Sequence, residues 1–182
     1  MSPMYDLQNL LTSDQIQDRV KELALEIQAN YGDEELLFVG ILKGSVIFMA
    51  DLIRHFSPRI EIDFIQVSSY MGRSKSSGVV QIRKDLDRSI EGRKVLIVED
   101  IVDTGLTLSH LRDLMSTRQP ADLRVVSLLS KRCAKNVSTI VEYVGFEIAD
   151  EFVVGYGLDY EEQLRNLPHI SVLRMQSPSV GH

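Results

Sequence analysis

Residues 95–108 constrain this chain more than any other stretch. Four apolar residues, Val95-Leu-Ile-Val98, run into Glu99, Asp100 and Asp103, and then into Thr104-Gly-Leu-Thr-Leu108. A short, wholly apolar run bounded by polar residues reads as a strand buried on both faces. Leu108, Leu111, Leu114 and Met115 follow at helical spacing, which predicts a helix over 107–118. A buried strand that feeds a helix through a polar turn is the repeating unit of an open α/β sheet. Ligands of such sheets gather beyond the carboxyl ends of the strands.

The remainder of the chain agrees with that architecture. Thr12-x-x-Gln15 reads as a capping box, and Ile16, Val20, Leu23, Ala24 and Ile27 recur at helical spacing up to a stop at Asn30-Tyr31-Gly32. Leu36–Leu42 and Val125–Leu129 are further apolar runs that suit buried strands. Val46–Phe56 reads as a helix ended by Ser57-Pro58, and Ile60–Val67 and Val79–Arg83 as strands. Val144–Ile148, Phe152–Val154 and Ile170–Leu173 are shorter strand candidates. Between them, residues 68–78 hold five serines and two glycines and almost nothing to bury, so a mobile surface loop is expected.

Composition narrows the function classes. At 182 residues with 44% apolar content, one compact domain is the default. The net charge of −6, without a basic block, disfavours a duplex nucleic-acid binder. Cys133 is the single cysteine, read as structural, so no intrachain disulfide or Cys-rich zinc site is available and a reducing compartment is expected. His55, His110, His169 and His182 form no metal spacing. The N-terminal residues resemble no signal peptide, and the apolar runs are far shorter than a bilayer span, so the expectation is a cytoplasmic protein without membrane partners.

Three carboxylates between positions 99 and 103 repel one another and need compensation by a hydrated Mg²⁺, a sugar diol, or both. Just beyond them, the helix start offers backbone N–H groups without internal partners, which favour an anion. Gly105 lets that backbone approach closely, and Thr104 and Thr107 add hydroxyls. Carboxylates for a diol beside a cradle for an anion describe a phosphorylated ribose. The plainer alternative is an ordinary strand-to-helix turn in which Asp103 or Thr104 caps the helix.

Residues 95–108 resemble the phosphoribosyl-diphosphate signature of type I phosphoribosyltransferases. Three further segments appear in the order typical of the bacterial hypoxanthine (hypoxanthine-guanine) branch: Leu42-Lys-Gly-Ser45, Ser68-Ser-Tyr70, and Lys131 through Val154-Gly-Tyr-Gly-Leu-Asp159 to Arg165. The resemblance spans Leu36 to about Leu173. It implies a mainly parallel five-stranded sheet flanked by helices, in a single domain over 1–182 whose small hood comes from segments near both termini. The implied reaction joins N9 of hypoxanthine, with guanine as a second base, to C1′ of phosphoribosyl diphosphate and releases pyrophosphate.

Residue roles follow from the same resemblance. Glu99 and Asp100 hold the ribose hydroxyls and Mg²⁺, and Asp159, grouped with the purine residues, contacts a second Mg²⁺ on the pyrophosphate side. Asp103 receives the proton at purine N7, and Asp103, Thr104, Gly105, Leu106 and Thr107 surround the 5′-phosphate. Lys43 and Gly44, on a loop with a non-proline cis peptide at Leu42–Lys43, meet the pyrophosphate together with Arg165 and with Ser69-Tyr70 of a closing lid. Lys131 donates to the purine O6, Phe152 stacks on the base and Val153 meets its edge. A homodimer or homotetramer is implied.

For each residue there is a plainer reading: solvated acids at 99, 100 and 159, surface cations at 43, 131 and 165, and a core strand at 152–154. Two other functions remain open, a nucleic-acid-binding regulator on the same fold and a transferase for xanthine, orotate or adenine.

Overall fold

The structure is a computed structural model, and it describes residues 5–56, 59–69, 80–132 and 141–176. Cys133, His182, Tyr70 and nearly all of the expected 68–78 loop lie outside the described residues, as does the Ser69 side chain.

Helix α1 (Ser13–Tyr31) begins at the expected capping box. Thr12 Oγ1 accepts from the Gln15 N–H at 3.2 Å, and the Gln15 side chain accepts from the Thr12 N–H at 2.9 Å. The spacing of Ile16, Val20, Leu23 and Ile27 gives one buried stripe. Helix α2 (Val46–Ile53) stops three residues short of Phe56, because the turn tightens: the His55 N–H donates to the Leu52 carbonyl and Phe56 to Ile53.

Six strands form the main sheet in the order β4-β3-β2-β5-β6-β7. They are β2 (Leu36–Ile41), β3 (Ile60–Ser69), β4 (Val80–Lys84), β5 (Lys94–Val102), β6 (Asp122–Lys131) and β7 (Tyr143–Ile148). Five are parallel, and β4 adds an antiparallel edge on β3. The apolar runs are continuous because both faces are covered. Leu36, Phe38, Leu96, Val98, Val126 and Leu128 pack toward α1 and α2, while Leu37, Val39, Val95, Ile97 and Val125 pack toward α3 (Leu106–Ser116). Leu108, Leu111 and Met115 supply the buried face of α3, and Leu114 is only partly covered.

Several boundaries differ from the sequence reading, and two of them, in β5 and β3, shape the site. Strand β5 does not end at Val98; it continues to Val102, paired with β6 through Glu99↔Ser127, Ile101↔Leu129 and Val102↔Ser130. Its ladder to β2 ends at Gly40↔Val98, so Glu99 and Asp100 sit on a strand paired on one side only, not in a turn. Strand β3 likewise runs through Ser68 and Ser69, two residues into the expected loop. Backbone pairing, not side-chain hydrophobicity, sets both limits.

A second sheet has the order β1-β9-β8, with β1 (Tyr5–Leu11), β8 (Val153–Val154) and β9 (Ile170–Met175) antiparallel. It pairs strands near the two ends of the chain, and its β8 member follows β7 directly, which brings Phe152 and Val153 alongside the ends of β5 and β6. No described helix is long and apolar enough to cross a membrane.

Candidate active site

The carboxyl ends of β2, β5 and β6 converge on two adjoining pockets that share Asp100, Ile101 and Asp103. The first, about 280 Å³, is walled by Glu99–Gly105 and Thr107, with Ile41 and Val67 from the neighbouring strands. The second, about 250 Å³, adds Lys131, Phe152, Val153 and Asp159.

The first pocket is built by backbone. Gly105 at the start of α3 has φ 81°, a left-handed conformation that glycine adopts without a Cβ penalty, and it is buried against the helix start. Neither Asp103 nor Thr104 is the N-cap, since Gly105 takes that position. Thr104 Oγ1 makes a long 3.4 Å contact to the Leu106 N–H. Leu106 lines neither pocket and is 49% exposed, so any part it plays belongs to its backbone.

The acids differ in environment. Burial, followed by the adjacent Asp100 carboxylate, pushes the Glu99 carboxyl well above the usual range. Asp100 lies against the turn that follows β2: a Cβ added to the buried Gly44 would overlap its carboxylate. A Cβ at Gly157 would in turn overlap the Gly44 carbonyl. Gly157, Gly44 and Asp100 therefore stack in close contact, joining three separated segments. The Leu42–Lys43 peptide in that stack is cis. Buried Ser45 closes the turn by donating to the Ile41 carbonyl at 2.6 Å.

Lys131 is the last residue of β6, and only 12% of its side chain is exposed. The β6–β7 register sets it opposite Ile148, which brings Asp150 within 3.0 Å of its ammonium, while Asp103 lies at 3.2 Å. Burial works against the charge, but the two carboxylates outweigh it and hold the lysine pKa above its ordinary value. Phe152 is not a core residue: it precedes β8 and is 53% exposed at the mouth of the second pocket. Tyr160 supports it edge-on, at 6.0 Å between ring centroids and 87°. Val153 is buried.

Lys43, Asp159 and Arg165 belong to a charged cluster that reaches the second pocket at Asp159. Arg165 meets Asp159 at 2.7 Å and the Gly157 carbonyl at 2.8 Å, and its buried Nε has no hydrogen-bond partner. Glu162 joins the group at 2.7 Å from Lys43. Among the described residues no three His, Cys, Asp or Glu side chains gather closely enough to enclose a metal. A hydrated Mg²⁺ needs fewer protein ligands, and the desolvated Glu99 carboxyl beside Asp100 is a donor pair whose repulsion a divalent cation would relieve.

Sequence reasoning missed Gly157, Asp150, Tyr160 and Glu162. The second glycine of Val154-Gly-Tyr-Gly was a visible signal for close backbone approach; the other three residues had none.

A sequence profile of the phosphoribosyl transferase domain matches residues 6–161. The chain is 49% identical over 171 residues to the hypoxanthine-guanine phosphoribosyltransferase of Bacillus subtilis strain 168, covering 93% of this chain and 95% of that one. It is 52% identical to the enzyme of the same name from Mycobacterium avium, over 90% and 84% of the two chains. The crystal structure of a hypoxanthine-guanine phosphoribosyltransferase from Bacillus anthracis superposes with a TM-score of 0.87 at 43% identity, over 93% of this chain and 99% of that chain.

Proposed function

We propose, for a chain that belongs to the phosphoribosyl transferase family, that it carries out purine salvage. It transfers the 5-phosphoribosyl group of phosphoribosyl diphosphate to N9 of hypoxanthine, and also of guanine, giving the nucleoside monophosphate and pyrophosphate. The observation that carries this reading is the Lys131–Asp103 pair, 3.2 Å apart where the two pockets join. Purine O6 and N7 are neighbours on one edge of the base. An ammonium is all donor and a carboxylate all acceptor, so this pair fits an O6 acceptor beside an N7 proton and rejects the exocyclic amino group of adenine.

In this reading the 5′-phosphate takes the start of α3, contacted by Thr104, Gly105, Leu106 and Thr107. Glu99 and Asp100 take the ribose hydroxyls. Phe152 offers an exposed ring face to the base, and Val153 offers backbone groups to its edge. As N9 attacks C1′, the bond to the diphosphate breaks and positive charge spreads from the ribose into the purine. Asp103 accepts the N7 proton that this charge acidifies. The leaving diphosphate is held by Lys43, the Gly44 backbone and Arg165, with Ser69 and Tyr70 closing over it. Mg²⁺, held by Glu99, Asp100 and Asp159, would supply charge neutralisation for the diphosphate when bound. The sheet β1-β9-β8 serves as the hood of a single domain over 1–182. The protein acts in the cytoplasm as a homodimer or homotetramer, which light scattering on the purified protein checks.

The test is nucleotide formation from phosphoribosyl diphosphate and Mg²⁺ with hypoxanthine, guanine, xanthine or adenine. Hypoxanthine and guanine are expected to turn over; no turnover with any base overturns the reading. Lys131→Met should lower kcat/KM for hypoxanthine by roughly 10- to 100-fold, the cost of leaving a desolvated oxo group and Asp103 without the donor. Unchanged discrimination against adenine in that variant removes Lys131 from base selection.

A further inference from the structure

We propose that Glu162 is a built-in stand-in for the diphosphate, a carboxylate that occupies its cations between turnovers and must be displaced when phosphoribosyl diphosphate binds. The proposal rests on the assignment of Lys43 and Arg165 to the diphosphate and adds a competitor for them.

Glu162 meets both cations, with Oε2 at 2.7 Å from Lys43 Nζ and Oε1 at 3.4 Å from Arg165 Nη2. One carboxylate thus spans two positive groups, one of which, Lys43, lies 119 residues away from it along the chain. The Glu162 side chain is 66% exposed, whereas the Arg165 side chain, 24% exposed, is fixed by Asp159 and by the Gly157 carbonyl.

The backbone holds Glu162 there. Tyr160 and Gln163 exchange both N–H···O bonds, at 3.1 and 3.0 Å, which closes a two-residue hairpin turn over Glu161 and Glu162. Both central residues have positive φ, 51° and 63°, in a turn that favours Asn or Gly. Non-glycine residues persist in this conformation where the surroundings over-determine it, a pattern concentrated at functional sites. Here the surroundings include the Glu162 N–H, which donates to Asp159 Oδ2 at 2.9 Å, and the Lys43 ion pair.

The consequence is a gain of affinity on removing a residue at the site. A diphosphate carries more negative charge than one carboxylate and wins the cations, but its apparent affinity is reduced by the contact it breaks. Exposed ion pairs are weak, so the expected effect is small and of definite sign: Glu162→Gln should tighten binding by about three- to fivefold.

The experiment is calorimetric titration of inorganic pyrophosphate, with Mg²⁺, into the wild type, Glu162→Gln and Glu161→Gln. Glu161→Gln removes the same charge from the neighbouring turn position. Tightening of that size in Glu162→Gln alone, with a parallel fall in the KM for phosphoribosyl diphosphate and no change in the KM for hypoxanthine, supports the proposal. Unchanged or weaker pyrophosphate binding in Glu162→Gln overturns it, and so does equal tightening in both variants, which would reduce the effect to net charge. Wild-type protein that turns over no purine would fail the functional reading instead, and the pyrophosphate titration reads independently of that result.

Discussion

The two sides of the cleft are built in opposite ways. One side, Glu99 to Thr107, is a single run of chain in which a strand end and a helix start present backbone and short side chains. The other side is assembled from Leu42–Ser45, Lys131 and residues 150–165, held in place by ion pairs and by glycines in close contact. The contiguous side owes its shape to backbone, a strand end paired with β6 and a left-handed glycine at the helix start, so single side chains matter little to it. The assembled side owes its shape to pairwise contacts between distant residues, so one substitution can dismantle it. Asp103 belongs to both: it lies on the contiguous run, and its carboxylate is bound to Lys131.

That contrast predicts the order of mutational effects. The largest belongs to the shared residue. Asp103→Asn should lower kcat by about 10²- to 10⁴-fold, the range for loss of a positioned proton acceptor. The KM for phosphoribosyl diphosphate should change little, since Gly105 and the helix start are untouched. Steady-state kinetics on both substrates check this, and a KM effect larger than the kcat effect would place Asp103 in binding instead.

Next comes the assembled side. Gly44→Ala would drive a methyl group into the Asp100 carboxylate, shifting the turn after β2. The expected loss is about 10²-fold in kcat/KM for phosphoribosyl diphosphate, comparable to an ångström-scale misplacement of a binding group. Melting temperature measured beside the kinetics separates misplacement from unfolding.

The smallest effect belongs to a side chain on the contiguous side. Thr104→Ala removes one hydroxyl from a wall made chiefly of backbone, and the KM for phosphoribosyl diphosphate should rise by about 10-fold, the lower end of the range for one hydrogen bond to a charged group. A loss as large as that of Gly44→Ala would break the comparison, because it would make the contiguous side as dependent on side chains as the assembled one.

What the amino-acid sequence determined by itself was whatever depends on neighbours along the chain. The Thr12–Gln15 capping box, the buried stripe of α1, and the apolar runs of β2 and β5 are set by residues within a few positions of one another. The acid-rich run at 99–103 was legible for the same reason. Tertiary structure alone decided the rest. Val98 and Glu99 differ completely in polarity, yet β5 passes through both, because the edge of β6 offers pairing as far as Ser130. Phe152, followed by two valines, has the look of a core residue; its exposure follows from where β8 joins the second sheet. The Lys131–Asp103 pair, the Gly157–Gly44–Asp100 stack and the hold of Glu162 on Lys43 link residues tens to more than a hundred positions apart. Such contacts are fixed by strand register and loop closure, and no periodicity along the chain encodes them. The contiguous side could therefore be read from the chain, whereas the assembled side exists only once the sheet has brought its parts together.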